Sequence, residues 1–198
     1  MRTVAVDEHR TTRRPMRGGS PSREVTIHVG EIHVSRTPVI VRTLLGSCIA
    51  VCLWDGARRI GGMNHFLLPD GDPHHGASAR FGGHAMERLI GAMLELGADR
   101  RRLVAKIFGG ANVLEIPDAR PGVPEWNVAF IREFFAREPI PVLAEDLGGS
   151  LARVIRFDTT TNRVQVRRVA RPRARVLWGQ AEGRVSEREP FTPAGPRS

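Results

Sequence analysis

Only two cysteines occur in the 198 residues, Cys48 and Cys52, and four positions apart on one apolar run they are poorly placed to bridge each other. That pattern excludes a disulfide framework and fits a reducing compartment. No apolar run approaches the ~20 residues a membrane helix needs, and the arginine-bearing N-terminus has no apolar stretch of the signal-peptide kind. A cytoplasmic protein without membrane insertion is expected. No internal repeat is present. Gly109 and Gly110 lack the GxxxxGK[ST] spacing of a phosphate loop. His74 and His75, beside Asp70 and Asp72, read as a surface loop, because no second cluster at ligand spacing completes a metal site. No cofactor and no metal are expected.

What remains is an ordinary globular composition with a net charge of +9. The basicity is concentrated at the ends: residues 1–23 carry +4, residues 171–198 carry +3, and the stretch 24–170 between them only +2. Both ends are rich in Pro, Gly and Ser and poor in large apolar residues, so they read as disordered basic tails. As such they are solvated extensions or electrostatic docking arms. A nucleic-acid partner is not expected, since the excess charge lies outside the folded stretch. Residues 24–170 are enough to bury one core.

Within that stretch, Glu24 to Val29 and Pro38 to Arg42 are short β-like runs separated by Gly30 and the Ser35-Arg36 region. Helical periodicity over Ala79 to Leu96 places Phe81, Ala85, Leu89, Ala92 and Leu96 on one stripe, with His84 just off it. Leu103 to Phe108 reads as a strand and Glu125 to Arg137 as a second helix, with Val128, Ile131, Phe134 and Phe135 on its apolar side. A strand within Pro139 to Leu147 follows. A closing hairpin is expected from Arg153–Phe157 and Arg163–Arg167, with arginines on a solvated face and aliphatics on the other. The expected fold is α+β or layered α/β: a single domain around one mixed, largely antiparallel sheet with two main helices.

The chemistry-bearing stretch is Leu45-Gly46-Ser47-Cys48-Ile49-Ala50-Val51-Cys52-Leu53-Trp54, where a glycine turn becomes an apolar strand. A second run, Ile60 to Pro69, contains His65, and the turn-like Asp55-Gly56-Ala57-Arg58-Arg59 between them predicts a β-hairpin. A four-residue loop, Asp55 to Arg58, sets Cys48 opposite His65. A tight Asp55-Gly56 turn pairs Cys48 with Met63 and leaves His65 a diagonal step away on the same face. An odd-length loop turns His65 to the other side.

A thiol beside an imidazole is a Cys/His pair for acyl transfer: the ring takes the thiol proton, then returns it to a departing amine. Gly46 and Ser47 enter Cys48 through a turn, where free backbone N–H groups can face an oxyanion. Cys48 is expected to alkylate faster than Cys52, through a lowered pKa and its turn position. Cys52, between Val51 and Leu53, reads as core. A zinc site on Cys48, Cys52 and His65 is disfavoured, since at ~3.3 Å per residue the two thiols stand far apart on an extended strand.

Several segments in order resemble the CheD family of chemoreceptor glutamine deamidases: Leu45-Gly46-Ser47-Cys48, Ala50-Val51-Cys52-Leu53, Asn64-His65-Phe66-Leu67-Leu68-Pro69, Lys106-Ile107-Phe108-Gly109-Gly110-Ala111-Asn112, Asn127, Glu145-Asp146-Leu147-Gly148-Gly149 and Arg153. The resemblance covers roughly residues 24–170. It implies that Cys48 is the nucleophile and His65 its base, converting receptor glutamine to glutamate with release of ammonia. It implies a loop lining the active-site wall at Gly109, Gly110 and Asn112. It also implies a catalytic threonine six residues before the cysteine, where this chain has Arg42, with Thr43 one place later. Either Thr43 takes the role or the third member is absent. The implied partners are methyl-accepting chemotaxis receptors and the phosphatase CheC. The Arg42 departure motivates an alternative, a binding module of the same receptor system that has weak or no activity.

Overall fold

A computed structural model describes residues 23–68, 77–113 and 122–169. The expectations for the two tails, and for the loop bearing His74 and His75, lie outside the described residues. In chain order the strands are β1 (Arg23–Thr26), β2 (Ile32–Ser35), β3 (Val39–Leu45), β4 (Ile49–Asp55) and β5 (Ile60–Phe66). Helix α1 (Ala77–Glu95), a 3-10 turn (Arg100–Arg102), β6 (Leu103–Gly109) and helix α2 (Val123–Arg137) follow. Strands β7 (Val142–Leu147), β8 (Ala152–Asp158) and β9 (Val164–Val169) complete the order.

The α+β class with two main helices is as expected, but the strands divide between two mixed sheets where the sequence led us to expect one. The inner sheet has the order β2-β5-β4-β6-β7 and the outer β1-β3-β8-β9, with parallel pairs at β6/β7 and β1/β3. Strand β4 explains the layering. Its odd residues Ile49, Val51 and Leu53 pack with Met86, Leu89, Met93 and Ile131 of the helices. Its even residues Ala50 and Cys52 pack with Val39, Val41, Ile155 and Phe157 of the outer sheet. Buried on both faces, β4 reads as a continuous apolar run, whereas β3, covered on one side, alternates Val41, Thr43 and Leu45 inward with Arg42 and Leu44 outward.

Local expectations fail where long-range contacts decide. Strand β2 lies in the region taken as a separator; it exists because Ile32 to Ser35 pairs with Asn64 to Gly61 of β5. Phe81 stands on the predicted stripe yet is 61% exposed, beyond the reach of the core. Phe130 of α2 packs edge-on against Phe66 at 5.8 Å. Arg153, expected on a solvated face, is buried: it shares the inward parity of Ile155 and Phe157 and is 2% exposed, with its guanidinium 2.8 Å from Asp146 of β7.

Candidate active site

Gly46, Ser47 and Cys48 form the turn in which the chain leaves the outer sheet at β3 and enters the inner sheet at β4. All three of its carbonyls are held. Ala111 N–H donates to Gly46 O at 2.8 Å and Gly110 N–H to Cys48 O at 2.8 Å. The Asn127 side-chain amide donates to Ser47 O, also at 2.8 Å. No described peptide bond is cis. In a trans peptide the N–H points opposite to the carbonyl of its own plane. The Ser47 and Cys48 N–H groups are therefore directed away from Ala111 and Asn127, which hold the carbonyls of their respective peptide planes.

The β4/β5 hairpin has a four-residue loop, 56–59, one place further on than the Asp55–Arg58 loop considered from sequence. Asp55 pairs with Ile60 and Ala50 with His65. The even length keeps the parity, so His65 faces the inter-sheet side with Ala50 and Cys52. Cys48, one residue before β4, packs against the same inter-sheet cluster, a diagonal step along the register from His65.

His65 is 5% exposed, and its Nδ1 lies 2.8 Å from Thr43 Oγ1. That hydroxyl donates its single proton to the carbonyl of Ile27, at 2.8 Å. It must then accept from the ring, which assigns the proton to Nδ1 and the lone pair to Nε2. Nε2 is buried and has no hydrogen-bond partner among the described residues. The main chain clasps the same residue: Gly30 N–H donates to His65 O at 2.7 Å, and His65 N–H to Glu31 O at 3.1 Å. Burial lowers the imidazole pKa from its ordinary value, and nearby His28 adds to this. The bond to Ile27 and the charge of Glu31 oppose it.

The Cys48 thiol is half-buried. Burial raises its pKa, against the smaller opposing effects of its own backbone N–H and the Ser47 side chain. This corrects the expectation of a lowered value. Shifted in these directions, the thiol and the imidazole are each neutral near neutral pH. Cys52 is fully buried, and desolvation pushes its thiol far up. Of the two sulfurs, only Cys48 has access to solvent.

Gly109 and Gly110 form the wall behind the turn, with φ of +119° and +66°. A Cβ at Gly109 would overlap Cys48 O, and one at Gly110 would overlap the side chain of Val128. Glycine is required here for close approach as well as for conformation. Gly148 N–H caps Gly109 O at 2.9 Å. Asn112 lines, with Gly110, a groove of about 370 Å³ bordered also by Glu125, Arg132 and Gly149, and its N–H donates to Gly149 O at 2.8 Å.

The structure thus brings Thr43, Gly46, Ser47, Cys48, His65, Gly109 and Gly110 into one locus, with Asn112 one step removed. Arg42, at the spacing expected for the threonine, points outward to Glu24, 4.0 Å away. Sequence reasoning missed the Ile27 carbonyl, which depends on the β1/β3 pairing. It gave no role to Asn127, although an amide one turn before Ile131 on an apolar helix face is a readable signal.

A family model described as CheD chemotactic sensory transduction matches residues 67–168. A protein of Xanthomonas campestris pv. campestris named "Probable chemoreceptor glutamine deamidase CheD" is 52% identical over 127 residues, 64% of this chain and 64% of that protein. One of Stenotrophomonas maltophilia with the same name is also 52% identical over 127 residues. "Probable chemoreceptor glutamine deamidase CheD 2" of Chromobacterium violaceum is 46% identical over 165 residues, 81% of this chain and 82% of that protein. The chain thus spans a little under two thirds of the first two relatives and most of the third.

Proposed function

The chain belongs to the CheD family, and from that premise we propose that it deamidates glutamine side chains of chemoreceptors, the substrate class named for its relatives. The activity resides in residues 24–170. Nε2 of His65 takes the Cys48 proton as sulfur attacks the carboxamide carbon, and the oxyanion sits against the N–H groups of Ser47 and Cys48. The imidazolium returns the proton to nitrogen as the C–N bond breaks, giving ammonia and a thioester. Water, losing a proton to the same ring, then adds to the thioester carbon. Collapse releases glutamate and the thiol.

The observation that carries this reading is the chain of bonds from Ile27 O through Thr43 Oγ1 to His65 Nδ1, which leaves the basic nitrogen free on the inter-sheet side. A histidine serving only to fill space needs no such fixed tautomer, and an orphaned buried nitrogen costs stability, a cost that is characteristic of groups kept for function. The same bond supports Thr43 in the role of the third member despite Arg42 at the expected spacing, because Thr43 brings a hydroxyl to the ring.

Incubation of the protein with receptor cytoplasmic fragments should add about one dalton per converted glutamine, with ammonia released in step, as expected for amide hydrolysis through an acyl-enzyme. Unchanged fragment mass with retained binding would leave the binding-module alternative.

A further inference from the structure

We infer that Asn127 is a positioning residue that fixes the Ser47–Cys48 peptide, and with it the oxyanion donor on Cys48; the inference rests on the deamidase reading above. Asn127 is 0% exposed on the inner face of α2. Burying a carboxamide is costly unless it is bonded, and packing alone would be met as well by an aliphatic side chain. Both ends of this amide are bonded. Oδ1 accepts from Leu68 N–H at 2.9 Å, and Nδ2 donates to Ser47 O at 2.8 Å.

Leu68 follows His65 by three residues, and Ser47 precedes Cys48 by one. A single buried side chain therefore ties the end of the strand that carries the base to the turn that carries the nucleophile. The Gly46 and Cys48 carbonyls are held by main-chain donors, so Asn127 is the anchor of this turn that a substitution removes. With Ser47 O held toward α2, the Cys48 N–H is held on the opposite side of the same peptide plane, and that N–H acts to lower the pKa of the residue's own thiol. Released from Asn127, that plane is free to turn. The N–H then supports neither a thiolate nor a tetrahedral oxyanion.

The test is the pH profile of Cys48 alkylation by iodoacetamide in the full-length chain, with thermal unfolding as the check on folding. Asn127→Ala removes both bonds. Asn127→Asp keeps the acceptor for Leu68 and loses the donor to Ser47. Each folded variant should show its alkylation midpoint raised by about one pH unit, which is ~tenfold slower labelling below the midpoint. On a receptor fragment, kcat should fall about ten- to a hundredfold while KM stays within about threefold, since the lost interaction acts on the transition state.

A folded variant whose alkylation profile overlays that of the wild type overturns the inference, and so does failure of both variants to fold, which would make the amide a determinant of the fold alone. Absence of turnover in the wild type would sink the deamidase reading instead. The alkylation profile decides the positioning role either way.

Discussion

A neutral imidazole facing a protonated thiol works between the titrations of the two groups. The ring of His65 is held below its ordinary 6.5 and the thiol of Cys48 above its ordinary 9.0. The dependence of kcat/KM on pH should therefore be a broad bell, its acid limb below 6.5 and its alkaline limb above 9.0, read by ammonia release. An acid limb above 6.5 would contradict a desolvated base. The same shift has a stability sign. Because the unfolded ring takes a proton first, His65's contribution is full above 6.5 and is lost as pH falls toward the folded value. On the proposed reading Thr43 acts through the ring, by the bond of its hydroxyl to His65 Nδ1. Thr43→Ala should lower kcat about ten- to a hundredfold through a misoriented imidazole, and Thr43→Ser should recover most of it. Of these side chains, Cys48 and His65 were legible as a pair in the sequence. The Thr43 bond was not, because it depends on β1 delivering the Ile27 carbonyl.

The parity of the β4/β5 hairpin was readable because loops of even length keep alternate residues on one face, although the observed loop lies one place beyond the four-residue loop considered and two beyond the tight turn. Two strands resisted local reading: β2 is short and is defined by its partner β5, and β8 carries an arginine inward at Arg153. The Gly109-Gly110 wall was legible only through the family resemblance, and what Gly109 packs against is the carbonyl of Cys48. Gly109→Ala should push that carbonyl aside. A left-handed φ adds about 1 kcal/mol of strain, so the unfolding midpoint should drop by several degrees and kcat at least tenfold. Wild-type kcat in the folded variant would show that the wall does not set the turn.

The three layers meet at the site, since helix α2, the inner sheet and the outer sheet each contribute a hydrogen bond to it. One long sheet was expected from local patterns, because nothing in a strand's own residues records that β3 pairs with β8 more than a hundred positions away. Arg153 is where the layering is pinned. From β8 it reaches Asp146, Gly148 and the loop that caps Gly109. Asp146 is 19% exposed and keeps Arg168 at 3.4 Å, so Arg153→Ala removes chiefly the guanidinium's bonds to the Asp146 and Gly148 carbonyls and should cost about 2 kcal/mol in denaturant unfolding. A loss well under 1 kcal/mol would make the pair incidental.

Which sulfur does the chemistry is the point on which the rest turns, and paired substitutions answer it directly. Turnover of receptor glutamine is to be measured for Cys48→Ala and Cys52→Ala side by side, each checked for cooperative unfolding. The structure predicts that Cys48→Ala releases no ammonia while unfolding as the wild type does. Cys52→Ala should lose about 1 kcal/mol of packing and keep its turnover. A folded Cys48→Ala protein that still converts glutamine, or a folded Cys52→Ala protein that does not, would contradict the assignment.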